Sequence, residues 1–407
     1  MAKIVILIIL AAVSINMVLG DQGIFKKAQE GANAMYEAEV NTQASFNSIT
    51  DEMDKIISGQ GGVTQPEEKS EIEQAKESGK EFDTNTPLED EHGNVVQIPE
   101  GFKIAEDSGD TVQQGIVIED VSASGDVAVQ GSQFVWIPVG IFTKDDGTSS
   151  EEIILGRYTF GDSASNGEPN LVQAAYTESE PENYKKNGKT EQIPIDNEFY
   201  YVELLESREG NLSYETDGLN ATAKDLAGFI NSVKTNGGYY IARYEASFAS
   251  GDNINNYKAA SKESIKFSED NMNYTEGTLW NYITQLDASK VAQNSYSKVN
   301  SSVESDLINS YAYDTAIVYI QTKNENYANK TTVNSELSNT GKTKDEVCKI
   351  HDMASNLYEW TTEYTNYIYT NLGFPCTGRG GIYNDSNLYA ARRGYNQATD
   401  SFEDVRF

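Results

Sequence analysis

A chain of 407 residues is long enough for two or three domains, and its composition is globular but polar: 38% hydrophobic, with 25 Tyr and only 8 Pro. The net charge of −32, with no basic run to neutralise phosphates, excludes nucleic acid as a partner. Solubility outside a cell accounts for so acidic a balance.

Lys3 precedes a hydrophobic segment from Ile4 to Leu19, 16 residues against the ~20 that span a bilayer. One reading is a cleaved signal peptide ending at Val18-Leu19-Gly20. The other is a retained anchor, and the next 35 or so residues favour it. Ile24, Phe25, Ala28, Ala32, Met35 and Tyr36 recur at helical spacing, as do Phe46, Ile49, Met53, Ile56 and Ile57. A single helix over residues 23–58 would reach ~54 Å, and Ser58-Gly-Gln-Gly-Gly62 would end it. Residues 1–20 are therefore expected to be a hydrophobic anchor that meets the membrane through residues 3–19, and 21–60 an amphipathic helical stalk. Residues 61–89, rich in Glu, Lys, Thr and Asp with little to bury, are expected to be an acidic, solvated linker.

From residue 90 to 407 the pattern is that of one α+β head rich in loops. Asp90-Glu-His92-Gly93-Asn94 is a turn before Val95-Val-Gln-Ile-Pro. Gly115-Ile-Val-Ile-Glu119, Phe134 to Val139 and Leu155 to Phe160 read as strands. Residues 162–195 read as a long polar loop. Thr222-Ala-Lys-Asp225 has capping-box spacing ahead of Leu226, Phe229, Ile230 and Val233, and Gly237-Gly238 stops that helix. A second helix is expected over residues 305–321, with Leu307, Ile308, Tyr311, Ala316, Val318 and Tyr319 facing inward. Residues 250–303 and 323–345 read as polar insertions.

The most distinctive stretch is Cys348-Lys-Ile-His351-Asp352-Met353-Ala354-Ser355-Asn356-Leu357-Tyr358-Glu359-Trp360-Thr361, with Cys376-Thr-Gly-Arg379-Gly380-Gly381 beyond it. Its apolar residues obey neither period, which predicts a short helical turn running into a strand. A carboxylate among large rings needs donors or a cation, and Arg379, Arg392, Arg393 and Arg406 are the nearby candidates. Two cysteines 28 residues apart fit one disulfide in an oxidising compartment, worth roughly 3 kcal/mol. Two buried thiols are the alternative.

Asp352-Met-Ala-Ser-Asn-Leu-Tyr-Glu-Trp360-Thr resembles the Asp-Met-Ala-Gly-Asn-Val-Trp-Glu-Trp-Thr signature of formylglycine-generating enzyme (sulfatase-modifying factor) domains. Arg379-Gly380-Gly381 is similar to their Arg-Gly-Gly-Ser turn, and Val405-Arg406-Phe407 to their closing Gly-Phe-Arg. Phe134 to Gly140 and Gly238-Tyr-Tyr-Ile-Ala-Arg243-Tyr244-Glu245 resemble two upstream strands of the family. The resemblance implies an elaborated C-type-lectin-like α+β head and a bacterial source, in which the Asn-x-Ser/Thr sequons carry little weight. It does not extend to the reaction. The family's two copper-binding cysteines fall at Asp385 and Ala390, so neither copper nor that catalysis is expected. The apolar helix running into an amphipathic one is similar to type IV pilin-like proteins, and residues 10–28 resemble the pilin-like heads of bacterial surface proteins. The leader glycine, its cleavage point and the glutamate beyond it are absent, a departure that a truncated start would explain.

These patterns mark several candidate sites. His92 and His351 are too isolated for a zinc motif. Asn356 matches the signature Asn, which in related enzymes lies near a structural calcium, so Asn356 and Glu359 are candidate calcium ligands; an ordinary hydrogen-bonded network is the alternative. Glu359 and Arg406 are the candidate core ion pair. Tyr383, Asn384, Asp385, Asn387, Tyr389, Tyr395 and Asn396 crowd without period into the tail. Such Tyr- and Asn-rich stretches serve as recognition loops or fill ordinary polar loops. The tail is also similar to the variable proteins of diversity-generating retroelements, an analogy of fold. The expected protein is a membrane-anchored binding or adhesion protein on the extracellular face of the cell membrane, with a protein or glycan ligand. An oxidase or hydrolase on the same fold, or a pilin or pseudopilin subunit assembling with pilin-like partners, are the alternatives.

Overall fold

The computed structural model describes residues 69–160, 167–175, 193–196, 199–203, 226–263, 265–266, 277–297, 301–365, 376–396 and 405–406. The chain divides into two units, Met1–Glu68 and Lys69–Phe407. The expected anchor and stalk fall in the first unit, outside the described residues. Among the described residues no helix is long and apolar enough to cross a membrane.

The second unit begins 21 residues before the expected boundary at residue 90, because residues 69–89 of the expected linker are folded. Its first element, α1 (Glu71–Ser78), carries a complete capping box: Ser70 Oγ accepts from Glu73 N, and Glu73 Oε2 accepts from Ser70 N. Ile72 and Ala75 of α1, with Phe82 and Leu88 beyond it, are buried in the main core. The acidic composition had masked these apolar residues, which are spaced to face inward.

The hairpin of β1 (Thr86–Glu89) and β2 (Val95–Ile98) comes next, then β3 (Phe102–Ile104), β4 (Val117–Asp120) and β5 (Gln133–Pro138). Two further hairpins come after them, β6 (Gly140–Thr143) with β7 (Ser150–Ile153), and β8 (Gly156–Phe160) with β9 (Pro169–Ala174). β9 and then β10 (Ile193–Asp196) occupy part of the segment 162–195 that reads in sequence as a single loop. After β11 (Phe199–Glu203) the chain enters α2 (Leu226–Asn236), which buries Leu226, Ile230 and Val233 as their spacing requires. Then come β12 (Gly238–Ala242), β13 (Ala246–Ser250) and β14 (Lys258–Ser261). β14 and α3 (Gln285–Ser295) lie within the first expected insertion, so that segment is structured as well. Helix α4 (Ser310–Gln321) starts five residues later than expected, because Asn309 caps it by accepting from Ala312 N at 3.0 Å. Nearly every residue of α4 is buried, so it has no solvent face. The short pair β15 (Glu346–Val347) and β16 (Ile350–His351) precedes β17 (Tyr358–Thr365), β18 (Cys376–Arg379), β19 (Arg393–Asn396) and β20 (Val405–Arg406).

The result is an α+β unit of few helices and many small sheets. A four-stranded antiparallel sheet runs β12-β5-β4-β3, and a six-stranded one runs β10-β11-β17-β18-β19 with β20 parallel to β17. The larger core packs α1, α2 and α4 against the first sheet. A smaller one gathers Phe248, Trp280, Ile283, Val291, Trp360 and Cys376.

The two cysteines are not joined. Cys376 sits on β18 in the smaller core, opposite Asn396, whereas Cys348 belongs to the larger core with Sγ 3.4 Å from the Gln113 carbonyl. Cys348 (φ 50°) and Lys349 (φ 64°) form the two-residue turn between β15 and β16, and that turn presses onto Gly115, where any Cβ would overlap the Cys348 carbonyl. The disulfide expected from spacing fails because each thiol is committed to a different core. Burial pushes the Cys348 thiol up to about 12, which leaves it inert near neutral pH.

Two outcomes are expected. Denaturing the protein without reductant exposes two alkylatable thiols, whereas a disulfide would leave none. Ile72→Ala lowers the unfolding free energy by about 2–5 kcal/mol in urea titration; a loss below ~0.5 kcal/mol would mark 69–89 as linker after all.

Candidate recognition surface

The site is built outward from β17. Its register sets Glu359 opposite Arg379 and Trp360 opposite Gly378 on β18, while Tyr358 and Glu359 face Val405 and Arg406 on β20. The signature stretch, the Arg-Gly-Gly turn and the penultimate arginine are thus backbone neighbours, although up to 58 residues separate them. Gly380 (φ 87°) completes the junction: a Cβ there would run into Glu359 Oε2, the Met353 carbonyl and the Tyr313 hydroxyl.

A buried set of ion pairs other than the expected Glu359–Arg406 one surrounds Arg379. Glu359 is half-buried and lies beside Arg406 in the ladder, but the Arg406 side chain falls outside the described residues. Arg379 is fully buried and engages Glu363 Oε2 at 3.1 Å and Asp314 Oδ1 at 2.5 Å. Arg393 bridges the same two acids, to Glu363 Oε1 at 3.0 Å and to Asp314 Oδ2, and Arg157 reaches Glu363 Oε1 at 2.7 Å. Between Trp360 and Tyr364 four steps on β17 match two on β18, an irregularity just before Glu363 joins the Arg379 fork. Backbone carbonyls of Arg392 and Ala391 accept from Arg379, and that of Tyr158 from Arg393. Burial by itself would raise the Glu363 carboxyl, but Arg393, Arg379 and Arg157 outweigh it and lower it to about 2. No sequence signal singled out Glu363 or Asp314. Each is an ordinary acid in its own element, and only the fold brings them together.

The turn before β17 is the second foundation. It is a non-helical turn in which Asp352 (φ 67°) and Asn356 (φ 69°) take the left-handed conformation. Asp352, fully buried, accepts from Gly341 N at 2.8 Å and from the Thr343 hydroxyl. Asn356 Nδ2 donates to both Glu245 oxygens, at 3.0 and 2.8 Å, and to the Ser338 carbonyl. Its Oδ1 accepts from Ser338 N and Asn334 Nδ2. Protein groups thus occupy the hydrogen-bonding positions of the amide, the ordinary network that was the alternative to calcium. Its carboxylate partner is Glu245, not Glu359. Among the described residues no group of three or more His, Cys, Asp or Glu is placed to hold a metal. His351 stacks on the Tyr244 ring at 4.9 Å.

The tail turn is fastened to this foundation. Tyr383 N donates to the Asn356 carbonyl at 2.9 Å, Ala390 N to the Lys330 carbonyl at 2.9 Å, and Ala391 N to the Ala328 carbonyl at 3.0 Å. Between these anchors Asn384, Ser386, Asn387 and Tyr389 are exposed, while Tyr383 and Asp385 are half-buried. Asp385 Oδ1 stiffens the turn by accepting from Asn387 N and Nδ2, both at 2.9 Å. Tyr389 (39% exposed) bridges to Thr331, and Val333, two residues beyond Thr331, is exposed as well (44%). Sequence reasoning missed Val333. Tyr395 and Asn396, by contrast, lie on β19 beyond Arg393 and are not in the turn. Ala390, at the second family copper position, is fully buried, and its carbonyl accepts from the Tyr313 hydroxyl at 3.0 Å.

Because Glu363 is lowered in the folded state, its contribution to stability is complete above the unfolded value near 4.5 and is lost as pH falls towards about 2. Glu363→Gln is expected to flatten the pH dependence of stability across that window, as measured by thermal melting. An unchanged profile would show that the cluster does not carry it. Glu363→Ala, which strands Arg157 and leaves Arg379 and Arg393 to Asp314 alone, is expected to cost about 3–5 kcal/mol.

No family model, no curated protein and no solved structure matches this chain.

Proposed function

We propose that the chain is a membrane-anchored binding or adhesion protein of the extracellular face, in which residues 1–60 anchor and extend a formylglycine-generating-enzyme-like, C-type-lectin-like head that binds without catalysing. The observation that carries the reading is the turn over residues 382–389. It exposes Asn384, Ser386, Asn387 and Tyr389 while its backbone is fixed at both ends to buried parts of the fold. Tyr supplies contact area at low entropic cost, and Asn and Ser supply adaptable hydrogen bonds. A turn held rigid before binding loses little further entropy on association. Support for the fold comes from the side-by-side pairing of the three sequence motifs around β17. Asp385 and Ala390, at the family's copper positions, offer no thiol.

A glycan array and a cell-binding screen with the purified protein test the reading. Binding is expected, and the double substitution Asn387→Ala with Tyr389→Ala is expected to weaken it at least ~10-fold while leaving the melting temperature unchanged, as for exposed residues. Binding that survives the substitution would place recognition elsewhere on the molecule.

A further inference from the structure

We propose that Lys330 and Asp345 form an intramolecular isopeptide bond, a covalent brace beneath the recognition turn. The proposal does not depend on what the turn binds. Lys330 Nζ lies 2.6 Å from Asp345 Oδ1, and the carboxylate is fully excluded from solvent while the lysine is mostly so. The other contacts of the carboxylate differ on its two oxygens in a way that suits acyl transfer. Oδ2 accepts a backbone N–H, from Ala354 at 2.6 Å, and Oδ1 accepts the Tyr327 hydroxyl at 3.0 Å. Tyr327 is itself completely buried, and its ring lies 5.2 Å from the lysine nitrogen. Burial, then the neighbouring Asp345, hold its phenol well above the ordinary range, so it keeps its proton and serves as donor.

The step balances without an external reagent. A proton passes from the ammonium to Oδ1 along their hydrogen bond. The neutral amine then attacks Cγ, forming the C–N bond and driving an electron pair onto Oδ2, where the Ala354 N–H receives the developing charge. Collapse breaks the bond from Cγ to Oδ1. That oxygen leaves as water, taking its second proton from the nitrogen by way of the Tyr327 hydroxyl. Ammonium and carboxylate become an amide and one water, with no change of oxidation state. Fixed proximity of the two groups replaces the activation that an amide bond otherwise needs, and burial shields the product from hydrolysis.

The bond would close residues 330–345 into a ring. That ring carries Thr331, which pairs with Tyr389, and Asn334 and Ser338, which hold Asn356. Lys330 also anchors the turn through its carbonyl.

The test is peptide mapping of the denatured, full-length protein after trypsin. The expected product is a branched peptide in which 324–342, uncleaved after Lys330, is joined to 345–349 and is lighter by one water than the two together. Lys330→Arg and Asp345→Ala are each expected to abolish it and release linear peptides. The wild-type digest decides by itself, whatever the variants do to folding: one dominated by linear peptides cleaved after Lys330 overturns the proposal.

Discussion

The second unit depends on five charged side chains that meet where water does not reach. Glu363 and Asp314 hold Arg157, Arg379 and Arg393, and so tie α4, β8, β17, β18 and β19 at one point. Burying such groups singly would be prohibitive. Each acid here meets at least two guanidiniums, and Arg379 and Arg393 also donate to carbonyls, so the desolvation penalty is offset only when every strand is in place. The cluster works as a condition on assembly: an arrangement lacking one strand leaves a charge unpaired.

That condition explains why a loop-rich tail can be rigid. Arg379 and Arg393 bracket the turn over 382–389, and both point into the cluster, so the chain leaves and returns from fixed positions. Asn356 adds a third fastening by joining Glu245, Ser338, Asn334 and Tyr383 through one residue. An Asn suits the place for two reasons. Its amide offers donors and acceptors together, and it tolerates the left-handed backbone that the turn requires.

The same organisation separates the two cores. Trp360 and Cys376 look into the smaller one, while Cys348, Met353 and Ala354, all within the same signature stretch, look into the larger. The stretch is thus a partition as well as a strand, and the left-handed residues Cys348, Lys349, Asp352 and Asn356 make its path possible. Local backbone strain of this kind persists only where surrounding contacts overdetermine it.

Local features were legible in the sequence alone. Apolar spacing placed β4, β5, β8 and α2, because alternation and turn chemistry act over a few residues, and the family resemblance placed β12. The tail turn was marked too, through a density of Tyr and Asn that no helix or strand would use. Whatever required knowing a neighbour in space came only from packing. Arg379 met Glu363 and Asp314, and Asn356 bonded Glu245. The cysteines went to separate cores, and α1 found a core for Ile72 within an acidic segment that composition had assigned to solvent. A charge or a thiol carries no record in sequence of what will face it. Its partner is set by register and burial, which arise only when distant elements pack.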